Sequence, residues 1–281
     1  MEEKKKPDLR VVSFSGGKDS TALLLRMLEE NMPVDIILFC DTGLEFPELY
    51  EHIDKVEKNI GRKITRLKCD EDFEYMLLEK PVVRKRDTSY GRKNGLGLGL
   101  ERKGYGWPGP KMRWCTQLLK SSPRERYFRE LKKDYNIIEY VGLAADEEYR
   151  FNRACNNRAN VRHPLVDWGM TEKDCLQYCY DRGYDWGGLY EYFHRVSCWC
   201  CPLQGLDELR ILYRKFPHLW EKLKDWDRRT WRKFRKGYSI IELEKRFDFE
   251  EEWLNAGNTS LRNKAFFDAL KERLADENSN H

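Results

Sequence analysis

Along the first half of the chain, short apolar blocks alternate with stretches whose apolar residues recur every three to four positions. LRVVSF (9–14) and VDIILFC (34–40) read as short buried strands. Between them Ala22, Leu23, Leu24, Met27 and Leu28 form a stripe of period 3.6, which predicts a helix over 19–31. The pattern continues with a helix from Pro47 to Asn59, a strand near Lys63–Leu67, a helix over 114–133 and a strand in IIEYVGL (137–143). Strands and helices taken in turn predict an α/β fold whose sheet is parallel and whose crossovers are right-handed.

Two stretches depart from this rhythm. Residues 84–113 carry nine Lys/Arg against two acids, and their glycines and prolines speak against a regular element. Beyond residue 202 the chain becomes helical, basic and aromatic, as in LWEKLKDWDRRTWRKFRKGY, and it closes on the polar ADENSNH. The organisation expected is an α/β domain over 1–203 carrying the insertion 84–113, a helical region over 204–275 and a flexible tail over 276–281.

Composition narrows the class. Charged residues make up 36% of the 281 positions and aromatic residues 13%, so a packed core is expected despite the polarity. The net charge is only +4, and any nucleic-acid argument must rest on local clusters. MEEKKKPDLR has no apolar segment of the kind a signal peptide needs, and VDIILFC is far too short to span a bilayer. Nine cysteines, an odd number, fit a reduced cytoplasmic chain with a metal-binding or catalytic subset better than a disulfide framework.

The chemistry begins where the first strand ends. Ser13-Phe14-Ser15-Gly16-Gly17-Lys18-Asp19-Ser20-Thr21 joins a strand to a helix. Glycines let backbone N–H groups turn inward and approach oxygens, and the helix aims its positive end at the same spot. Lys18 adds a full charge, and Asp19 is suited to a Mg²⁺ bridging phosphate oxygens. The blander alternative is a turn in which Asp19 or Ser20 merely caps the helix. The spacing is not that of a Walker loop, which needs G-x-x-x-x-G-K-[ST].

Ser-Gly-Gly-Lys-Asp-Ser resembles the PP-loop of the ATP pyrophosphatase superfamily. Three further segments follow in order: Asp41-Thr42-Gly43-Leu44-Glu45-Phe46-Pro47-Glu48, Arg113-Trp114-Cys115, and Gly142-Leu143-Ala144-Ala145-Asp146-Glu147 with Arg150. Together they resemble the phosphoadenosine phosphosulfate (PAPS) reductase family, over about residues 8–203. That resemblance implies an open, five-stranded, Rossmann-like parallel sheet of the adenine nucleotide α-hydrolase kind, with flanking helices. It implies binding of ATP or a related adenine nucleotide and cleavage between the α- and β-phosphates. Ser13, Ser15, Gly16, Gly17, Lys18, Asp19, Ser20, Asp41, Thr42 and Gly43 are then the nucleotide-binding candidates. Lys18, Asp19, Arg113, Glu147 and Arg150 are the catalytic ones. Two departures stand out: no cysteine follows Cys201, whereas sulfonucleotide reductases of the family attack sulfur with a C-terminal thiol, and Ala144 stands where the family commonly has arginine.

Cys198-Trp199-Cys200-Cys201-Pro202 supplies a C-x-x-C pair, Cys198 and Cys201, able to point two thiolates at one metal. Cys115 lies in the segment that resembles the cluster-ligand position of iron–sulfur adenylyl-sulfate reductases, where this chain has Trp114-Cys115 in place of a tandem pair. Cys175 and Cys179 share a face of a predicted helix. Cys179 is the candidate fourth ligand, with Cys200 and Cys155 as alternates and burial as small hydrophobes as the competing account. Thiolate ligation suits a [4Fe–4S] cluster or Zn²⁺, and the resemblance favours the cluster.

The basic segments carry two readings each. The insertion could close over phosphates with Arg84, Arg86, Arg92 or Lys111, or act as a nucleic-acid arm. The stretch Lys222–Lys236 could stack on bases through Trp226, Trp231 and Phe234, or bury Leu219, Leu223, Trp226 and Phe234 as a helical stripe with its charges solvated opposite. The functional expectation is a PP-loop enzyme coupling nucleotide activation to sulfur chemistry at a cysteine-ligated centre. A thiol or sulfur-donor protein is the implied partner. The alternatives are a sulfonucleotide reductase with another thiol as nucleophile, and a nucleic-acid-associated module.

Overall fold

The structure, a computed structural model, describes residues 6–83, 101–150 and 157–276. The chain divides into two compact units, Met1–Phe73 with Trp114–Trp199, and Glu74–Arg113 with Cys200–His281. Residues 74–113 group with the C-terminal helices in the second unit.

The first unit is built on a five-stranded sheet. Its strands are β1 (Asp8–Ser13), β2 (Ile36–Asp41), β3 (Ile64–Lys68), β6 (Asn136–Val141) and β7 (Val161–Arg162), in the order β3-β2-β1-β6-β7 with every pairing parallel. The open parallel five-stranded sheet implied by the sequence is present. β7, only two residues long, has no signature in the apolar pattern. Side chains alternate across a strand, so Val11 and Val12 go to opposite faces, both fully buried. Val11, Leu38 and Ile137 form one cluster with Phe128 of α4 (Ser122–Leu131). α1 (Lys18–Glu29) packs along a later helix, α6 (Glu172–Tyr180). α2 (Pro47–Ile60) ends on Gly61 at φ +62°, a left-handed stop suited to glycine.

The helix expected over 114–133 is interrupted in character: residues Thr116–Ser121 form a π-helical turn before α4 begins. In the second unit the expectation of an irregular 84–113 is corrected at its described edges. β4 (Pro81–Val83) and β5 (Glu101–Lys103) pair antiparallel. Trp107 is fully buried, donates its indole N–H to Asp227 at 2.8 Å and meets Phe234 edge-on at 4.9 Å. Arg84, Arg86 and Arg92 lie outside the described residues.

The remainder of the second unit is helical: α8 (Leu206–Lys215), α9 (Pro217–Arg229), α10 (Ile240–Asn255) and α11 (Lys264–Asp276). Leu219, Leu223, Trp226 and Phe234 are all buried, as a core stripe requires. Arg229 pairs with Glu74 and Asp225, and Lys233 pairs with Glu242. The duller account of this basic, aromatic stretch is the one its packing supports.

Candidate active site

In an open α/β sheet, ligands bind beyond the carboxyl ends of the strands where the strand order reverses. Here the reversal is at β1, flanked by β2 on one side and β6 on the other. The turn Phe14–Gly17 leaves β1 at that point and runs into α1 with Gly17 as its cap. Gly16 sits at φ +79°, and a Cβ there would press on Leu49 and Ile53 of α2 at 3.0–3.1 Å. Gly142, just after β6, lets that strand end abut the start of α1: its Cβ would stand 2.9 Å from the backbone of Ser20.

The loop's donors converge on oxygens. Ser15 N–H donates to Ser20 Oγ at 3.1 Å, and Lys18 N–H to the Tyr190 hydroxyl at 2.8 Å. The Lys18 ammonium, almost fully buried, donates to Glu172 at 2.8 Å and lies 3.9 Å from Asp19. The first-turn amides of any helix have no intrahelical acceptor, so Asp19 and Ser20 present theirs at the same end. The loop is buttressed from outside: Trp186 donates its indole N–H to the Gly16 carbonyl at 2.7 Å. Trp186 adopts φ +52°, with Gly187 and Gly188 also left-handed, and stacks on His52 at 4.3 Å. His52 in turn bonds Thr21 Oγ1 at 3.0 Å; burial, with Lys55 adding, pushes its imidazole down to about 3, so it is neutral.

Asp19 is the electrostatic oddity. Burial raises its carboxyl from 3.8 to about 6; Lys18 opposes this, while Glu172 and Glu147 reinforce it. Its Oδ1 is buried without a hydrogen-bond partner. Beneath the loop, Ser13 donates to the buried Glu139 at 2.6 Å, and Arg124 holds the same carboxylate. Ser13 therefore faces the sheet's ion pair.

The other expected residues fall into separate groups. Asp41 accepts from the Gly43 amide at 2.8 Å and from Tyr50 at 2.6 Å, which ties its loop together. Thr42 donates to Glu45 at 2.9 Å, and Lys120 lies 3.5 Å from that carboxylate. Glu147 and Arg150 form a close pair at 2.5 Å, and Asp146 accepts the Glu172 amide at 3.0 Å. Arg113 is exposed and belongs to the second unit. Glu172, Tyr190 and Trp186 were not anticipated. Their only sequence signals are the T-x-x-D capping box at Thr171 and the Trp-Gly-Gly triplet.

Among the described residues, no group of three or more His, Cys, Asp or Glu could hold one metal ion. Cys179 is buried behind the phosphate loop, with its thiol 3.6 Å from the Lys18 carbonyl, and burial pushes that thiol well up. Cys175, one turn earlier, is equally buried. Cys198 lies 3.7 Å from Thr42 Oγ1 and 3.8 Å from Glu45. Cys115 opens the π-helical turn, Cys200 and Cys201 belong to the second unit, and Cys155 lies outside the described residues. No helix among the described residues is long and apolar enough to cross a membrane.

A glycine phosphate turn at the reversal point of a parallel sheet, followed by a Lys-Asp helix start, defines a PP-loop protein. The chain belongs to the phosphoadenosine phosphosulfate reductase domain family, which matches residues 10–204. It is 29% identical to an uncharacterised protein of Methanocaldococcus jannaschii over 239 residues, covering 79% of this chain and 41% of that one. The chain thus spans less than half the length of that archaeal relative. It is 26% identical over 176 residues to sulfate adenylyltransferase subunit 2 of Erwinia tasmaniensis, covering 60% of this chain and 56% of that one. The solved phosphoadenylyl-sulfate reductase of Candida auris, in its phosphate complex, aligns at a TM-score of 0.40 and 16% identity, over 67% of this chain and 78% of that one.

Proposed function

We propose that this chain is a PP-loop enzyme that binds ATP or a related adenine nucleotide and activates it at the α-phosphate. The observation that carries the reading is the loop itself, where the Ser15 and Lys18 amides and the Lys18 ammonium already hold oxygen atoms at 2.8–3.1 Å. Donors fixed in place before the reaction stabilise charge building on phosphate oxygens without reorganising, usually the largest catalytic contribution. A Mg²⁺ suits Asp19, whose Oδ1 is buried and unpartnered, and would neutralise phosphate charge when bound. The Asp41–Glu48 loop, at the end of β2, takes adenine and ribose in this reading. Glu147 and Arg150 orient the acceptor or pyrophosphate.

The test is incubation with ATP labelled at the α- and γ-phosphates. AMP and pyrophosphate, or an adenylylated acceptor, are expected. ADP with orthophosphate would place the cleaved bond elsewhere and overturn the assignment. Lys18→Ala is expected to lower nucleotide affinity by about 100-fold, roughly 2.7 kcal/mol.

The coupling to sulfur chemistry rests on Cys115, Cys179, Cys198 and Cys201 as ligands of a [4Fe–4S] cluster, with Zn²⁺ as the alternative. Among the described residues no group of three or more His, Cys, Asp or Glu could hold a metal ion, and no step is routed through one. Anaerobically purified protein decides the point: brown colour with iron and sulfide supports the cluster, and colourless protein with stoichiometric zinc supports a clamp. A preparation without either metal removes the centre from the reading. Sulfite released from PAPS in the presence of thioredoxin would move the assignment to the reductase alternative.

A further inference from the structure

The phosphate loop is liganded by the protein's own oxygens, and two of them come from distant segments. Tyr190 places its hydroxyl 2.8 Å from the Lys18 amide, 3.4 Å from where a Cβ on Gly17 would lie. Glu172 places Oε2 2.8 Å from the Lys18 ammonium. Glu172 is not a passing surface acid. It starts α6, its own amide is held by Asp146 at 3.0 Å, and the helix start is locked by the Thr171–Asp174 capping box. Its side chain is largely buried, as is that of Lys18. Burial works against its charge, yet the Lys18 hydrogen bond and charge, with His194 and Arg195 behind, hold its carboxyl below the usual range. The ammonium on which a phosphate oxygen depends is therefore already neutralised by a pre-positioned carboxylate.

Resting on the reading of this loop as a nucleotide-phosphate site, we infer that Glu172 is the resident counter-ion of the loop. A nucleotide's phosphate reaches Lys18 by displacing this carboxylate, and the Tyr190 hydroxyl leaves the Lys18 amide in the same exchange. No covalent step is involved: one anion replaces another on the same ammonium. The displaced carboxylate has a second partner at hand, the exposed His194, whose Nε2 is 3.7 Å away. Glu172 is thus a positioning residue. It holds Lys18 aimed along the loop and sets how strongly an anion must bind to take its place.

Such a role has the opposite sign from a supporting one. A residue that merely braces the loop weakens ligand binding when altered, whereas removing a competing anion strengthens it. The experiment is calorimetry with MgATP and, separately, inorganic pyrophosphate, on wild type, Glu172→Gln, Glu172→Asp, Tyr190→Phe and Lys18→Ala. Glu172→Gln is expected to bind both probes about tenfold tighter at low ionic strength, ~1.4 kcal/mol, with the gain shrinking as salt screens the charge. Glu172→Asp, which keeps the charge, gains less, and Tyr190→Phe gains a few-fold. Suppose instead that wild type binds, Lys18→Ala does not, and Glu172→Gln and Tyr190→Phe bind equally or more weakly. The counter-ion role is then overturned while the phosphate-loop reading stands. Wild type that binds neither probe overturns both together.

Discussion

Gly142→Ala is expected to cost about 2 kcal/mol of stability and to weaken nucleotide binding at least about tenfold, from a single added methyl group. The methyl would stand 2.9 Å from both N and Cα of Ser20 and 3.0 Å from the Asp19 carbonyl carbon. All three neighbours are backbone atoms of the first turn of α1, so no side chain can swing aside. Relief comes only by moving the helix start away from β6, which carries the Asp19 and Ser20 amides out of register with the loop. Gly142 is not in the left-handed region, so the effect is steric and not conformational. Urea denaturation together with calorimetric titration of ATP checks it. Unchanged stability with unchanged affinity would mean that β6 does not fix the position of α1.

The second large effect concerns Asp19. A carboxyl raised from 3.8 to about 6 by burial holds its proton more tightly in the folded chain than in the unfolded one. The associated stabilisation is complete below about pH 4 and is lost as pH rises through 6. At pH 7 the ionised Asp19 is a burden of about 2 kcal/mol, scaled down from the full shift because the side chain retains some exposure. Asp19→Asn cannot ionise. In buffer with EDTA it is expected to be more stable than wild type by that amount at pH 7, and to lose the advantage by pH 4. The same variant should lose catalytic turnover, because the buried charge is the group suited to a divalent cation. A stability difference that stays flat between pH 4 and 7 would contradict the raised carboxyl.

The strands and helices around the loop were legible because each has its own pattern. Val11, Val12, Ile37, Leu38 and Phe39 sit in compact apolar blocks, and Ala22, Leu23, Leu24 and Met27 form a helical stripe, all buried as that pattern demands. The turn out of β1 was legible because paired glycines before Lys-Asp-Ser interrupt the apolar run between a strand and a helix. What the pattern could not carry was closure between distant segments. Trp107 sits in a glycine- and proline-rich stretch that looks irregular, yet its indole completes a core with Trp226 and Phe234, more than 100 positions away. Glu172 and Tyr190 look like ordinary polar residues of a helix start and a loop, and acquire meaning only when the chain folds back beneath Lys18. Cys179 shows the converse: its helical spacing with Cys175 could mean shared ligation or shared burial, and spacing alone carries both.

Trp107 and its neighbours also bear on the order in which the protein can assemble during synthesis. The segment 74–113 leaves the ribosome early, but Trp226, Asp227 and Phe234 arrive more than 100 residues later. Until then the Trp107 indole lacks those later partners, although Gly104 and Gly106 can already bond the Lys80 and Leu77 carbonyls, and the parallel sheet needs only residues up to 162. The core around Trp107 is therefore completed only when the chain has been made as far as Phe234, well after the last strand of the sheet.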